Sequence, residues 1–390
     1  MEIDKHDENT KKRKRDLDEL EETYFTVGMV FDEILFKESL KHPRIRDRSF
    51  IVHNLIKAYD LLRNFTLLKS TPATKDDLCT FHSSDYIEYL EKINHCYTPD
   101  DEVDLEYGIG YDCPPLDGIY DFCCAIAGGT LTAARALCNR TVDIAINWCG
   151  GWHHAQRDEA EGFCYINDVA LGILELRKTF QNVVYFDLDI HHGNGVENCF
   201  SFTKRVMTVS FHLYEPGFYP GTGLESEVGD GNGRYYSVNV PLKNGTSDLT
   251  YKDMFDWVLQ TVLKNFKPDA IVVQCGADGL SGDPIGENFN LSLDAYSHCV
   301  KQILNLRKPT LFLGGGGYHI PNTARCWTYL SSVIVDVPIS NDIPEHDNFT
   351  KFGPTFELQI SKSNRKDFNS KEYLSCLKNR ISDNLKNISS

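Results

Sequence analysis

The stretch VVYFDLDIHHGNG at 183–195 constrains the fold of this chain more than any other segment. Its first four residues are apolar, as in a strand that is buried on both faces of a parallel sheet. Asp187, Asp189 and His191 follow at a spacing of two, so an extended backbone would direct all three side chains to one face. The pattern predicts that two carboxylates and an imidazole converge at a strand's C-terminal end, where open α/β sheets place ligand sites. The alternative is a loop whose Asp and His residues only cap backbone groups.

Apolar runs and amphipathic segments alternate along the rest of the chain. This alternation predicts an α/β fold with one doubly wound, mostly parallel sheet flanked by helices. The predicted strands are TVGMVFD, VDIAIN, VVYFD and its continuation, RVMTVSFH, YYSVNVPL, DAIVVQCGAD and PTLFL. The predicted helices are 51–64, 84–94, 118–137, 167–180, 249–266, 291–306 and 370–387, and 99–115 is predicted to be a long functional loop. No repeat or linker divides the chain, so residues 23–390 are predicted to form a single domain.

The first 22 residues are almost wholly charged or polar and are predicted to be disordered. They contain the basic block KKRKR at 11–15, which is typical of a nuclear localisation signal, although a solvated charged tail has the same composition. The 13 scattered cysteines form no CxxC pair and favour reduced thiols in the nucleus or cytoplasm. The net charge of −16 argues against direct nucleic-acid binding and suits a cationic partner. We find no secretory signal and no apolar run that would span a membrane.

Three of the polar residues at strand ends could hold a metal ion. A catalytic zinc needs three protein ligands and one open position, and Asp189, His191 and Asp278 supply that number. Because two carboxylates make this set harder than the usual zinc triads, Fe²⁺ is a credible alternative to Zn²⁺. We assign Asp187 to orienting a nearby histidine, whose tautomer needs a hydrogen-bond partner.

Further polar side chains follow two other predicted strands. His153 and His154 come after two glycines, and adjacent residues of an extended chain cannot both face the same core. Paired histidines beside a metal site are typical of hydrolysis, in which a histidine removes a proton from water. Tyr318 follows the glycine run 314–317 and could donate a hydrogen bond to a developing oxyanion. By itself such a tyrosine is more often structural, and only the other motifs favour the catalytic role.

These residues lie in motifs that resemble the class I zinc-dependent histone deacetylases, in particular their histone deacetylase 8 branch. The motifs are GYDCP, INWCGGWHHA, EGFCYINDVALGI, DLDIHHGNGVE, PGFYPGTG, GAD and LGGGGYHIPNTARCWTY, and the resemblance runs from about Phe25 to Gly353. It implies an arginase/deacetylase-like fold and zinc on the three ligands named above. It also implies that His153, His154 and Tyr318 are catalytic. Asp112 would anchor the substrate backbone, and Gly162, Phe163 and Tyr219 would line a tunnel for acetyl-lysine.

The resemblance also implies two structural potassium ions. The first would be bound near Asp187, Asp189, His191, Ser210 and Phe211. The second would be bound near Phe200, Thr203, Val206 and Tyr236.

The chain departs from the family pattern at two site positions. Asn194 stands where class I members usually have an aspartate that faces the second catalytic histidine. An amide can accept the imidazole hydrogen bond without supplying charge, which predicts that His154 is less basic than it would be in an Asn194→Asp variant. Tyr219 replaces the more usual phenylalanine and adds a hydroxyl group that needs a partner. The basic tail lies outside the family core, so nuclear import is predicted from composition alone.

The hypothesis that follows is a metal-dependent deacetylase that acts on lysines of histones and other proteins and represses transcription, with corepressor proteins as possible partners. One alternative is an amidohydrolase of acetylated polyamines, whose substrates are also cationic. A two-metal ureohydrolase of the same fold would need carboxylates where this chain has Gly193 and Leu280. A non-catalytic acetyl-lysine-binding corepressor scaffold is disfavoured because Tyr318 and all three ligands are present.

Overall fold

The computed structural model describes residues 25–286 and 288–388. The tail predicted to be disordered and the basic block at 11–15 lie outside the described residues. Within the described residues, no helix is both long and apolar enough to cross a membrane.

Within residues 25–286 and 288–388, eight strands form a single sheet in which every pairing is parallel. The strands are β1 (Val27–Val30), β2 (Thr66–Leu68), β3 (Ile144–Asn147), β4 (Val183–Asp187), β5 (Val206–Leu213), β6 (Ser237–Leu242), β7 (Ala270–Gln274) and β8 (Thr310–Leu313). Their order across the sheet is β2-β1-β3-β8-β7-β4-β5-β6. The predicted α/β fold with a doubly wound sheet is confirmed, and the sheet is parallel throughout.

Twelve α-helices flank the sheet in the part of the chain that the structure describes. They are α1 (Glu33–Ser39), α2 (Arg48–Ala58), α3 (Lys75–Leu78), α4 (Ser84–Lys92), α5 (Asp101–Glu106), α6 (Ile119–Cys138), α7 (Asp168–Leu176), α8 (Asn194–Phe200), α9 (Asp248–Asn265), α10 (Leu293–Leu304), α11 (Ile320–Ile334) and α12 (Lys371–Leu385). Asn167 caps α7, and its side chain accepts a hydrogen bond from the backbone of Ala170 at 2.9 Å.

Three predicted boundaries are wrong. The helix predicted for 51–64 ends at Ala58, and a separate 3₁₀ turn covers Leu61–Asn64. The loop predicted for 99–115 contains the short helix α5. The central strand ends at Asp187, so Asp189 and His191 lie in a bend and not on extended backbone.

The central strands are apolar because helices cover both faces of the sheet. Val184 and Phe186 of β4 belong to a core cluster that includes side chains of α9, α10 and α11. Val183 and Tyr185 point the other way, into a second cluster that includes α6 and α7. Burial of one such large apolar side chain contributes about 1.5–3 kcal/mol, so this continuous apolar run strongly favours the strand's central place.

The sheet brings four loops together at one edge. β3, β8, β7 and β4 are consecutive neighbours and all parallel, so their C-terminal ends lie side by side. The loops that follow these strands carry the histidine pair, Tyr318, Asp278 and the Asp189–His191 bend, respectively.

Candidate active site

Asp189, His191 and Asp278 form a buried cluster whose potential ligand atoms all lie within 4.8 Å of one another. His191 Nδ1 lies 3.1 Å from Asp189 Oδ1 and 3.0 Å from Asp278 Oδ2. Burial, together with the neighbouring Asp189, raises the pKa of Asp278 to about 7. A cation would relieve this repulsion, and two carboxylate oxygens with one imidazole nitrogen form a donor set that fits a divalent metal ion.

Backbone and amide groups orient Asp189 within this cluster. Its Oδ2 accepts hydrogen bonds from Gly316 N at 2.8 Å and from Gln274 Nε2 at 2.9 Å. A Cβ at Gly316 would overlap the Asp278 carboxylate, so only glycine lets this backbone approach so closely. Sequence reasoning missed Gln274, which is the last residue of β7 and looks like an ordinary strand residue.

The two adjacent histidines have different hydrogen-bond partners. His153 Nδ1 lies 2.7 Å from Asp187 Oδ2, whereas His154 Nδ1 lies 2.8 Å from Asn194 Oδ1. Their ring centroids are 4.0 Å apart. Asp187 therefore contacts a histidine of the pair, as its assignment as an orienting residue requires.

These partners give the two histidines opposite pKa shifts. Burial by itself lowers the pKa of His153, but the carboxylates of Asp187 and Asp189 together more than offset this effect and raise the pKa to about 9. Burial lowers the pKa of His154 well below its usual value, and the nearby His153 and His191 lower it further. The surroundings thus favour the protonated form of His153 and the neutral form of His154, and two titratable groups pushed apart in this way are typical of acid–base chemistry.

Tyr318 lies on the loop after β8, and Asp283 fixes this loop. Asp283 Oδ2 accepts hydrogen bonds from the backbone N–H groups of Tyr318 at 2.7 Å and His319 at 3.0 Å. Burial raises the pKa of Tyr318 well above its usual value, and the charges of Asp278 and Asp189 raise it further. The hydroxyl group thus keeps its proton and remains a donor. Asp283 was not anticipated, because a lone Asp in a Gly/Pro-rich loop normally indicates only a turn.

A cavity of about 240 Å³ leads to this cluster. It is lined by Asp112, His154, Gly162, Phe163, His191, Tyr219, Ile285 and Tyr318. All four residues predicted to anchor the substrate or line a tunnel are thus brought together, whereas Ile285 was not anticipated. Asp112 Oδ2 accepts a hydrogen bond from Gly162 N at 3.0 Å, which ties the anchoring loop to the cavity wall.

Gly162 is closely packed in the cavity wall, with no room for a side chain. Its φ of +57° lies in the left-handed region, and a Cβ would lie 2.5 Å from His154 Cδ2 and 2.7 Å from Tyr219 Oη. A side chain here would therefore displace either a predicted catalytic histidine or a tunnel residue.

Glu161 is the fourth residue that sequence reasoning missed. Asn194 Nδ2 donates to both of its carboxylate oxygens, at 2.9 and 3.1 Å. The hydroxyl group of Tyr219 donates to Oε1 at 2.8 Å, and Gln156 Nε2 donates to Oε2 at 2.6 Å. Glu161 therefore contacts both Asn194 and Tyr219, the two residues for which the sequence predicted an unusual hydrogen-bond requirement.

The residues predicted to bind potassium lie around β4, β5 and α8. Asp187 pairs with Ser210 in the β4–β5 register, and Asp189, His191 and Phe211 lie on or just beyond the same strands. In the second set, Thr203 N donates to Phe200 O at 3.1 Å, Val206 begins β5, and Tyr236 O accepts a hydrogen bond from Thr208 N at 3.0 Å. Potassium binding itself stays a prediction.

Comparison with known proteins gives a consistent result. The family described as the histone deacetylase domain matches residues 42–334. Histone deacetylase 8 of Xenopus tropicalis is 49% identical over 348 residues, which cover 89% of this chain and 93% of that protein. Histone deacetylase 8 of Danio rerio is 46% identical over 345 residues, covering 88% and 91%. Histone deacetylase 1 of Homo sapiens is 44% identical over 346 residues, covering 88% and 71%.

Proposed function

The chain belongs to the histone deacetylase family, and we propose that it hydrolyses the acetyl amide of lysine side chains in histone tails and other proteins. This proposal rests on the arrangement of residues at the inner end of the cavity. There a buried cluster of three potential metal ligands lies beside two histidines with opposite pKa shifts and a tyrosine that keeps its hydroxyl proton.

The form of the cavity supports a single long side chain as substrate. Phe163 and Tyr219 contribute apolar ring surface, against which the methylene stem of an acetylated lysine could pack. Asp112 lies at the same cavity, and its carboxylate is suited to accept hydrogen bonds from a peptide backbone. The net charge of −16 favours encounter with the Lys- and Arg-rich segments that surround such lysines in histone tails.

In this proposal Asp189, His191 and Asp278 hold a divalent cation, which would polarise the acetyl carbonyl and acidify a water molecule. His154 uses its Nε2 to accept the proton from the attacking water, because its Nδ1 is engaged with Asn194. Tyr318 donates its hydroxyl hydrogen bond to the carbonyl oxygen as negative charge develops there. Protonated His153 stabilises that charge. His154 then passes the proton that it took from water to the lysine nitrogen as the carbon–nitrogen bond breaks, which releases acetate and the free lysine amine.

We propose zinc as the cation, with Fe²⁺ as the alternative, and structural potassium at the two sets of residues named above. The deciding experiment is a deacetylation assay with purified protein, made metal-free and then supplied with Zn²⁺ or Fe²⁺. Acetylated histone peptide and acetylated polyamine are offered in parallel. Faster turnover of the peptide supports the proposal. Preference for the polyamine would overturn it in favour of a small-molecule amidohydrolase, and binding without turnover would indicate a scaffold.

We further propose that residues 23–390 form one catalytic domain, and that the protein acts in the nucleus to repress transcription, with corepressor proteins as partners. The basic block at 11–15 supports nuclear import. Replacement of its five basic residues by alanine should shift a fluorescently tagged protein from the nucleus to the cytoplasm. Unchanged nuclear accumulation would remove the block's role in import.

A further inference from the structure

We propose that Glu161 is a positioning residue for His154, acting through the side-chain amide of Asn194. The inference rests on the proposed function insofar as it gives His154 the role of base. It assigns to Glu161 the negative charge that the amide of Asn194 does not itself supply. The three residues form a hydrogen-bonded series that runs from the imidazole through the amide to the carboxylate.

The first step concerns the orientation of the amide. A carboxylate can only accept hydrogen bonds, so the group of Asn194 that contacts both oxygens of Glu161 at 2.9 and 3.1 Å must be its NH₂. Rotation of the amide by half a turn would place its oxygen against the carboxylate, which is repulsive. Glu161 therefore fixes Oδ1 of Asn194 toward the imidazole.

The second step concerns the tautomer of His154. Because Asn194 Oδ1 is an acceptor and lies 2.8 Å from Nδ1, the neutral imidazole must carry its hydrogen on Nδ1. Nε2 is then left unprotonated, as a base requires. Asparagine alone would not ensure this result, because a free amide could present either its oxygen or its nitrogen. Asn194 is 7% exposed, so little water competes for these contacts.

The third step concerns Tyr219, the other departure from the family pattern. Its hydroxyl group donates to Glu161 Oε1 at 2.8 Å, and its ring centroid lies 5.0 Å from that of His154. Glu161 thus holds the rings on both sides of Gly162. Together with Gln156, the carboxylate receives three neutral side-chain donors, which keep it in place. The carboxylate of Glu161 thus provides the hydrogen-bond acceptor for both Asn194 and Tyr219.

This arrangement predicts that a double variant regains the activity that each of two single variants loses, which a simple structural role of Glu161 would not produce. An Asn194→Asp substitution creates a carboxylate at hydrogen-bond distance from Glu161, and two adjacent carboxylates cannot both stay ionised without repulsion. Glu161→Gln alone frees the Asn194 amide to rotate. In the double variant, residues 161 and 194 again form a matched pair of hydrogen-bond donor and acceptor. The amide introduced at position 161 can donate to the carboxylate introduced at position 194, and that carboxylate still accepts the His154 hydrogen bond.

The test uses full-length, metal-loaded protein with acetylated histone peptide and compares Glu161→Gln, Asn194→Asp and the double variant. Each single variant should lower kcat by about ten- to a hundredfold, the range for a hydrogen bond to a charged group. The double variant should recover to within about tenfold of the original enzyme. Metal content should not change. The matched control is Glu159→Gln, which removes the same charge from an exposed position in the same loop and should leave kcat unchanged.

A second measurement reads the tautomer directly. With ¹⁵N-labelled histidine, NMR should show the Nδ1–H form of His154 in the original protein and in the double variant, and a mixture of forms in Glu161→Gln. If wild-type protein deacetylates no peptide but the tautomer still changes in this way, the proposed function fails and the positioning role stands. Losses that simply add in the double variant, or an unchanged tautomer in Glu161→Gln, would overturn the inference.

Discussion

Replacing Tyr318 by phenylalanine tests the site most directly, because it removes one hydroxyl group and keeps the ring. The ring packs edge-on against Phe163 with centroids 5.7 Å apart, a contact that phenylalanine can keep. The backbone of residue 318 stays bonded to Asp283, since that hydrogen bond involves only the main chain of residue 318. The fold, the three potential metal ligands and the cavity should therefore survive the substitution.

The expected effect is on the chemical step. Loss of one donor to an oxyanion typically lowers kcat by about 10²–10³-fold, which corresponds to about 2.7–4 kcal/mol. Because burial and two carboxylates raise the pKa of Tyr318 well above its usual value, the hydroxyl is protonated at every pH at which the enzyme is assayed. The loss should therefore be similar from mildly acidic to alkaline pH.

The assay measures kcat and KM on acetylated histone peptide, together with metal content and peptide affinity. KM and affinity should change little compared with kcat. Tyr59→Phe is the control, because its hydroxyl donates to backbone oxygens of residues 340 and 342, outside the cavity lining. Its kcat should equal that of the original protein. An unchanged kcat in Tyr318→Phe would refute the reasoning and leave the tyrosine with a structural role.

Three further predictions concern the metal, the histidines and the cavity wall. Asp278→Ala should lose metal and activity together, because two remaining ligands hold a divalent ion poorly; stoichiometric metal with near-normal turnover would contradict this. Asp187→Asn should move the basic limb of the kcat/KM profile to lower pH. Loss of the anion lowers the pKa of His153 from about 9, so the imidazolium loses its proton at lower pH. A basic limb that stays in place would exclude the pairing of Asp187 with His153. Gly162→Ala should abolish most activity. Gly217→Ala is the control, because Gly217 also has a positive φ but has open space where a Cβ would lie; this variant should keep its activity and lose only about 1–2 kcal/mol of stability in thermal unfolding. Equal activities in the two variants would contradict the proposed clash at Gly162.

The strand ends could be predicted from the sequence because both parts of the signal are local. An apolar run followed at once by Asp, His or Gly marks β3, β4, β7 and β8, and parallel order then places their ends at one edge. Elements such as β2, α3 and α5 have three to six residues. No periodic pattern can develop over so short a length, so these elements were missed.

The convergence of Asp189 and His191 was predicted, but from the wrong backbone geometry. The strand stops at Asp187, and the carboxylates themselves stabilise the bend that follows. His191 N donates to Asp189 Oδ1 at 3.0 Å, and Ile190 N donates to Asp278 Oδ1 at 3.1 Å. Alternation along an extended chain could not reveal this, because one partner comes from a loop almost ninety residues away.

The acceptor for Asn194 and Tyr219 marks the limit of what the sequence reveals. The amide of Asn194 and the hydroxyl group of Tyr219 are both donors that need a partner, so the sequence itself indicates that an acceptor must lie near them. The sequence does not identify that acceptor, because Glu159 and Glu161 lie in the same short loop. The backbone decides between them: Gly162 turns the chain at positive φ beside the cavity, which directs Glu161 toward Asn194 and leaves Glu159 exposed. The sequence shows that Glu159 and Glu161 are near each other, but only the backbone turn at Gly162 determines which of them accepts the hydrogen bond from Asn194.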